Sequence, residues 1–189
     1  MNKSVYRILL AGEGGQGVQT IGHILARAAF DEGLNVAFMP NYGVEQRGGV
    51  SLAYLQIGKG VIGFPKFAKA DIIINMRSRA VERIMQYVGD ETLYIYDSDL
   101  IRSLDLKAVK AEKLPIPATT LAAKKLTPKV FNMILCGSLI AEIDGLSQSS
   151  VEKAANLVLA EKYKKRPELK NLNHKAIDLG VRAAKEAYK

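Results

Sequence analysis

Apolar residues along the chain fall in short unbroken runs that alternate with segments of helical period. Residues 5–11 form a continuous apolar run with one charge, the pattern of a strand buried on both faces. Residues 18–30 place Ile21, Leu25, Ala28 and Ala29 on one helical face, and Gly33 ends that helix. Residues 35–40 read as a second strand, 41–49 as a loop with three glycines, and 50–57 as a third strand. Gly58-Lys59-Gly60 then predicts a hairpin turn into a strand at 61–64. Residues 71–76 and 92–96 are further strands, the latter ending at Asp97, with a helix expected over 78–88 between them. Pro115 and Pro117 make 108–116 an extended edge segment rather than a central strand.

A short helix is expected over 119–126. Thr127 as N-cap and Pro128 at the first helical position then open a longer one over 128–143, with Phe131, Ile134, Leu135, Ser138 and Leu139 on one side and Asp144-Gly145 as its stop. Ser149-Ser150-Val151-Glu152 reads as a capping box for a helix to about Lys164. Arg166-Pro167 breaks it, and a last helix from Asn173 buries Ile177, Val181, Ala184 and Tyr188. The strand–helix alternation predicts an α/β fold: a three-layer, Rossmann-like domain with a mostly parallel sheet over 1–145 and a helical C-terminal third over 146–189, together one domain.

The densest chemistry sits between the first strand and the first helix, at Gly12-Glu13-Gly14-Gly15-Gln16-Gly17. Gly12, Gly14 and Gly17 keep the G-x-G-x-x-G spacing. Glycine permits positive φ in such a turn and lets a ligand approach the backbone. The helix that follows presents free N–H groups and its positive dipole end, which suits a phosphate. The competing reading is a turn needed only for close strand–helix packing. A nicotinamide site also needs an acid about 20 residues further on, at the end of the next strand; here Glu45 arrives only after the turn Tyr42-Gly43-Val44. Glu45-Gln46-Arg47-Gly48-Gly49 is a second polar cluster, fit either for a ligand-facing loop or for an ion pair that pins its own loop. Asp97 lies at the carboxyl end of a strand, where open α/β sheets bind ligands; capping of the next turn is the preferred reading. Tyr42, Tyr94 and Tyr96 are read as packing.

Composition narrows the chemistry further. Hydrophobic residues make up 48% and charged residues 24% of 189, ordinary for a globular protein. The single cysteine, Cys136, lies in an apolar helical pattern and cannot alone hold a cluster or a zinc. His23 and His174 show no ligand spacing, so no metal residues are assigned. The net charge of +8 gathers at Lys162, Lys164, Lys165, Arg166, Lys170, Lys175, Arg182, Lys185 and Lys189. No nucleic-acid-binding signature accompanies it, so a solvated face or an acidic partner is expected rather than nucleic acid. No run is long enough to span a bilayer and Met1-Asn2-Lys3-Ser4 lacks a signal-peptide layout, so the expected address is cytoplasmic. There is no G-K-[ST] after the glycines and no G-x-S-x-G, and no catalytic residues are assigned.

Gly12–Thr20, the helix Leu25-Ala26-Arg27-Ala28-Ala29, Tyr42–Gly49, Ala70–Ile74, Tyr96-Asp97-Ser98 and Asn132–Gly137, in that order, resemble the gamma subunit (gamma domain) of 2-oxoacid:ferredoxin oxidoreductases. The family includes enzymes for pyruvate, 2-oxoglutarate, branched-chain 2-oxoacids and indolepyruvate, and the likeness runs over nearly the whole chain. It implies oxidative decarboxylation of a 2-oxoacid, acyl transfer to coenzyme A and electrons passed to ferredoxin or another acceptor. It implies thiamine diphosphate, Mg2+ and an iron–sulfur cluster in the holoenzyme, all on partner chains: alpha and beta subunits, with a ferredoxin-like delta subunit as a further candidate. Gly89-Asp90-Glu91 does not fit the pattern that holds the magnesium diphosphate of thiamine. The resemblance makes this chain inactive alone, with Gly12, Gly14, Gly15, Gln16, Gly17, Glu45, Arg47, Gly48 and Gly49 as candidates for the coenzyme A side of the active site. A gamma chain of this length fits a 2-oxoglutarate enzyme or a pyruvate enzyme, with a slight lean to the former. The alternatives are an autonomous Rossmann-like nucleotide-binding protein and an architectural partner whose glycines only pack.

Overall fold

Six strands in the order β2-β3-β1-β4-β5-β6 frame the molecule. They are β1 (Val5–Glu13), β2 (Asn35–Asn41), β3 (Val50–Gly58), β4 (Ile72–Asn75), β5 (Leu93–Asp97) and β6 (Glu112–Ile116). The computed structural model describes residues 3–41 and 48–188. β1, β4, β5 and β6 are parallel neighbours. β3 is antiparallel to both β1 and β2, so it alone runs against the other five. The expected mostly parallel sheet is present, with one inverted strand inserted between β1 and β2.

β4 is buried along its whole length, as its unbroken Ile72-Ile73-Ile74 predicts. Side chains of β1 alternate between the two faces. Tyr6, Ile8 and Leu10 point into the larger core, formed with α1 (Val18–Asp31), α3 (Ala118–Lys125), α4 (Phe131–Ile140), α5 (Gln148–Val158) and α7 (Glu168–Ala187). Leu9 and Ala11 point the other way, into a smaller core capped by α2 (Val81–Ile84) and short 3-10 turns. The helical layers are therefore unequal. No helix among the described residues is long and apolar enough to cross a membrane.

Several expectations need correction. Residues 61–64 form no strand. β1 and β2 already occupy both edges of β3, so a returning strand would have nothing to pair with. Instead the Gly60 N–H donates to the Ser4 carbonyl at 3.0 Å. The helix expected over 78–88 is only α2, with 3-10 turns on either side. Its last carbonyl, that of Tyr87, is taken by the Ala70 N–H at 2.8 Å instead of continuing a helix.

The apolar helix α4 is not one-sided: Met133 to Ile140 are all buried. The sheet lies on one side and α7 on the other, with Gly137 of α4 backed onto Ile177 and Gly180 of α7 onto Ile134. The N-cap of α5 is Ser147, whose Oγ accepts from the Ser150 N–H at 3.1 Å, two residues before the expected box. The final helix starts at Glu168, directly after Pro167, and its inner face is Asn173, Ala176, Ile177, Gly180 and Ala184. Val181 is half-buried and Tyr188 is 53% exposed, past the helix end. β6 is an edge strand with its proline, as read.

Candidate functional site

β1 delivers the glycine turn to the carboxyl edge of the sheet. Gly12 still pairs with Ser51 of β3 and Glu13 with Val50, so the turn begins from a fixed strand end. Two short bonds close it: the Glu13 N–H donates to Gln16 Oε1 at 2.7 Å, and the Gln16 N–H donates back to the Glu13 carbonyl at 3.1 Å. A Cβ on Gly12 would sit 2.9 Å from Gln16 Oε1 and 3.2 Å from Met76 Cβ, so that position is set by close packing.

Gly15 and Gly17 have φ of 97° and 90°, a conformation side chains resist. Gly17 is the N-cap of α1 and offers no side-chain cap. A Cβ there would meet the Asn132 amide, whereas one on Gly15 would meet none of the described residues within 4 Å. The first-turn N–H groups of Val18, Gln19 and Thr20 have no partner within the helix, and no acidic side chain sits in that turn.

The second loop meets this turn at its end. The Gly14 N–H donates to the Gly49 carbonyl at 3.0 Å, and Arg79 Nη1 donates to the Gly48 carbonyl at 3.0 Å. The structure thus brings Gly12, Gly14, Gly15, Gln16 and Gly17 together with Gly48 and Gly49. Glu45 and Arg47, with Tyr42 and Gln46, lie outside the described residues. Glu13 is committed elsewhere, to Arg77 Nε at 3.1 Å.

A cleft of about 660 Å3 opens beside the α1 N-terminus. Glu13, Gly15, Gln16 and Gly17 border it on one side and Phe131 and Asn132 on another. The C-terminal helices supply the third wall through Leu159, Tyr163 and Asn173. Lys129, Lys162 and Arg166 stand at its rim, and among the described residues Glu13 is the only carboxylate in the lining. Burial pushes the Tyr163 phenol above its ordinary value. The Tyr163 oxygen accepts from Asn173 Nδ2 at 2.8 Å, which ties α6 (Ala160–Lys165) to α7.

The sequence did not single out Arg77, Arg79, Asn132 or Lys129 as parts of this site. No fixed spacing links them to the glycines. Lys162 and Arg166 were visible only as part of a basic stretch. Asp97 caps the turn after β5, as expected, rather than facing the cleft: its Oδ1 accepts from the Asp99 N–H at 3.1 Å and its Oδ2 from Thr119 Oγ1 at 2.6 Å. Tyr94 and Tyr96 are buried packing residues. Cys136 is buried in the core, and its thiol is pushed up to about 12 by desolvation. Among the described residues no three His, Cys, Asp or Glu side chains converge.

These features define a mostly parallel α/β domain with a cleft at the carboxyl end of its first strand, bordered by the N-terminus of α1. The model of the pyruvate ferredoxin/flavodoxin oxidoreductase family matches residues 7–183, and the chain belongs to that family. The resemblance read from the sequence is borne out. A 2-oxoglutarate synthase subunit KorC from Methanocaldococcus jannaschii is 32% identical over 95% of this chain and 94% of its own length. A ketoisovalerate oxidoreductase subunit VorA from Methanothermobacter thermautotrophicus is 31% identical over 95% of this chain, which spans only 36% of that protein. The crystal structure of a keto/oxoacid ferredoxin oxidoreductase gamma subunit from Geobacter sulfurreducens superposes with a TM-score of 0.78 at 25% identity, covering 95% of this chain and 98% of that one.

Proposed function

We propose that the chain is the gamma subunit of a thiamine diphosphate-dependent 2-oxoacid:ferredoxin oxidoreductase, and that its cleft receives the phosphates of coenzyme A. The observation that carries the ligand reading is the N-terminus of α1, without a side-chain cap, opening on a cleft rimmed by Lys129, Lys162 and Arg166. Free N–H groups, a positive dipole end and Lys129, Lys162 and Arg166 favour a polyanion. Glu13, the one carboxylate that the described residues bring to the lining, is paired with Arg77.

This chain's part is to bind and orient. Val18, Gln19 and Thr20 donate backbone N–H groups to phosphate oxygens, and the rim cations offset the remaining charge. Gly15, with none of the described residues standing where a side chain would be, leaves room for the ligand against the turn. Thiamine diphosphate, when bound on a partner chain, supplies the decarboxylation chemistry. An iron–sulfur cluster does not fit this chain: its one cysteine is buried and stays protonated.

2-Oxoglutarate is the substrate we favour, because the relative named for it is matched over almost its whole length. The autonomous dinucleotide reading is disfavoured by the topology. β3 separates β2 from β1, so an acid at the end of β2 would stand two strand spacings, roughly 10 Å, from the glycine strand.

Kinetics of the assembled enzyme test the proposal. Lys162→Glu with Arg166→Glu should raise KM for coenzyme A about tenfold or more, on the order of 0.7 kcal/mol or more per reversed charge. KM for the 2-oxoacid should not move. Equal changes in both constants, or none, would refute the cleft as the coenzyme site.

A further inference from the structure

At the opposite end of β1 lies a surface that the cleft does not use. The irregular segment 59–69 displays Val61 at 95% and Phe64 at 67% exposure. Such large apolar side chains at a surface mark contact sites when they are held rigidly and grouped. Here the backbone beneath them is pinned. Gln56 Nε2 donates to the Phe64 carbonyl at 2.6 Å and the Pro65 carbonyl at 3.0 Å, and that glutamine is itself 6% exposed. Asn35 Nδ2 donates to the Lys59 and Gly60 carbonyls at 3.3 and 3.1 Å. A segment without helix or strand is thus fixed before anything binds it, which lowers the ordering cost of association.

Beside the two apolar residues runs a groove of about 670 Å3, bordered by Arg7, Phe64, Lys66, Phe67 and Lys69. Among the described residues no carboxylate lines it. The nearest acid in sequence, Asp71, is paired with Lys3 at 2.6 Å. Lys66 lies over the Tyr54 ring at 5.7 Å, and Lys69 donates to the Gln86 and Val88 carbonyls, so both ammonium groups are held at the groove. The surface is apolar at its centre and of one charge sign around it.

We propose that residues 61–69 and this groove are the docking surface for another polypeptide of the same oxidoreductase, one that offers an apolar hollow rimmed by Asp and Glu. The charge complementarity sets the partner's rim, and Val61 and Phe64 set its hollow. A second copy of this chain would bring the same cations face to face, which disfavours self-pairing here. The proposal rests on the subunit reading but not on the ligand reading, since the nine-residue strand β1 separates the two regions by roughly 26 Å.

Val61→p-benzoylphenylalanine, installed in the full chain within the purified enzyme and irradiated, tests this. The expected product is a cross-link to a co-purifying subunit, at a segment containing Asp or Glu. A cross-link to a second copy of this chain, or no cross-link, overturns it. In a second arm, Arg7→Glu with Lys66→Glu should lower the yield of assembled enzyme at least tenfold, while Lys66→Arg should not. KM for coenzyme A in the enzyme that still assembles should match wild type. Normal assembly of the charge-reversed chain would sink the docking surface and leave the coenzyme reading standing.

Discussion

Gly180 is where α7 rests on α4 with no side chain between them. A Cβ placed there would run into the Ile134 carbonyl, with Ile134 C at 2.8 Å and Ser138 N at 2.9 Å. These are backbone atoms inside a buried helix, so no rotamer change relieves the clash. Overpacking a core costs about 1–3 kcal/mol, and a backbone obstacle belongs at the upper end of that range. Alanine returns about 1 kcal/mol of helix propensity over glycine. Gly180→Ala should therefore destabilise by roughly 2 kcal/mol, which for a chain of this size lowers Tm by about 4–8 °C. Thermal melts followed by circular dichroism at one protein concentration give the answer. Gly63→Ala is the control: nothing lies within 4 Å of its Cβ position, so its Tm should stay within about 2 °C. The same displacement of α7 would carry Leu169 and Asn173 away from the cleft they line. A Gly180→Ala chain melting at or above wild type would refute the close α4–α7 crossing and the third wall of the cleft with it.

Other consequences are as direct. Burial lifts the Asp97 carboxyl above its ordinary value, against smaller opposing effects of its bonds from Thr119 and Asp99. The folded state therefore holds that proton more tightly than the unfolded chain, and wild-type stability falls as pH rises through the ordinary Asp value of about 3.9 toward the raised one. Asp97→Asn lacks this term, so its Tm relative to wild type should climb as pH goes up through that window; a relative decline would contradict the assignment. Cys136 is buried with its thiol pushed up to about 12. A disulfide-forming reagent at about pH 8 should leave the native chain unlabelled and label the denatured chain once. Full labelling of the native chain would show that α4 is not covered as described.

The sequence revealed those parts of this fold that local rules control. The apolar runs marked β1, β3, β4 and β5, because a strand buried on most of both faces leaves a nearly uninterrupted signal, whereas β6 was legible only as an extended edge through its prolines and the run at 61–64 misled. The glycine turn was visible because positive φ and an uncapped helix start need glycine at fixed places. The inverted place of β3 was not visible. Its composition suits a strand of either direction, and only occupation of both its edges rules out the hairpin return at 61–64. The all-round burial of α4 was equally hidden, since Gly137 and Gly180 acquire meaning only when two helices distant in sequence meet. The cleft shows the same division. Gly15, Gln16 and Gly17 stand out in the sequence, while Lys162 and Arg166 reach the rim only through the folding of the C-terminal helices back over α1 and α4, and Lys129 reaches it from the 3-10 turn that precedes α4.

The ligand reading is tested most directly by a cryo-electron microscopy map of the complete enzyme with coenzyme A bound. The account predicts phosphate density at hydrogen-bond distance from the N–H groups of Val18, Gln19 or Thr20, with Lys162 or Arg166 turned toward it. Coenzyme A density that ends on other subunits, with the α1 N-terminus facing protein or solvent, would contradict it and leave the glycine turn a packing device.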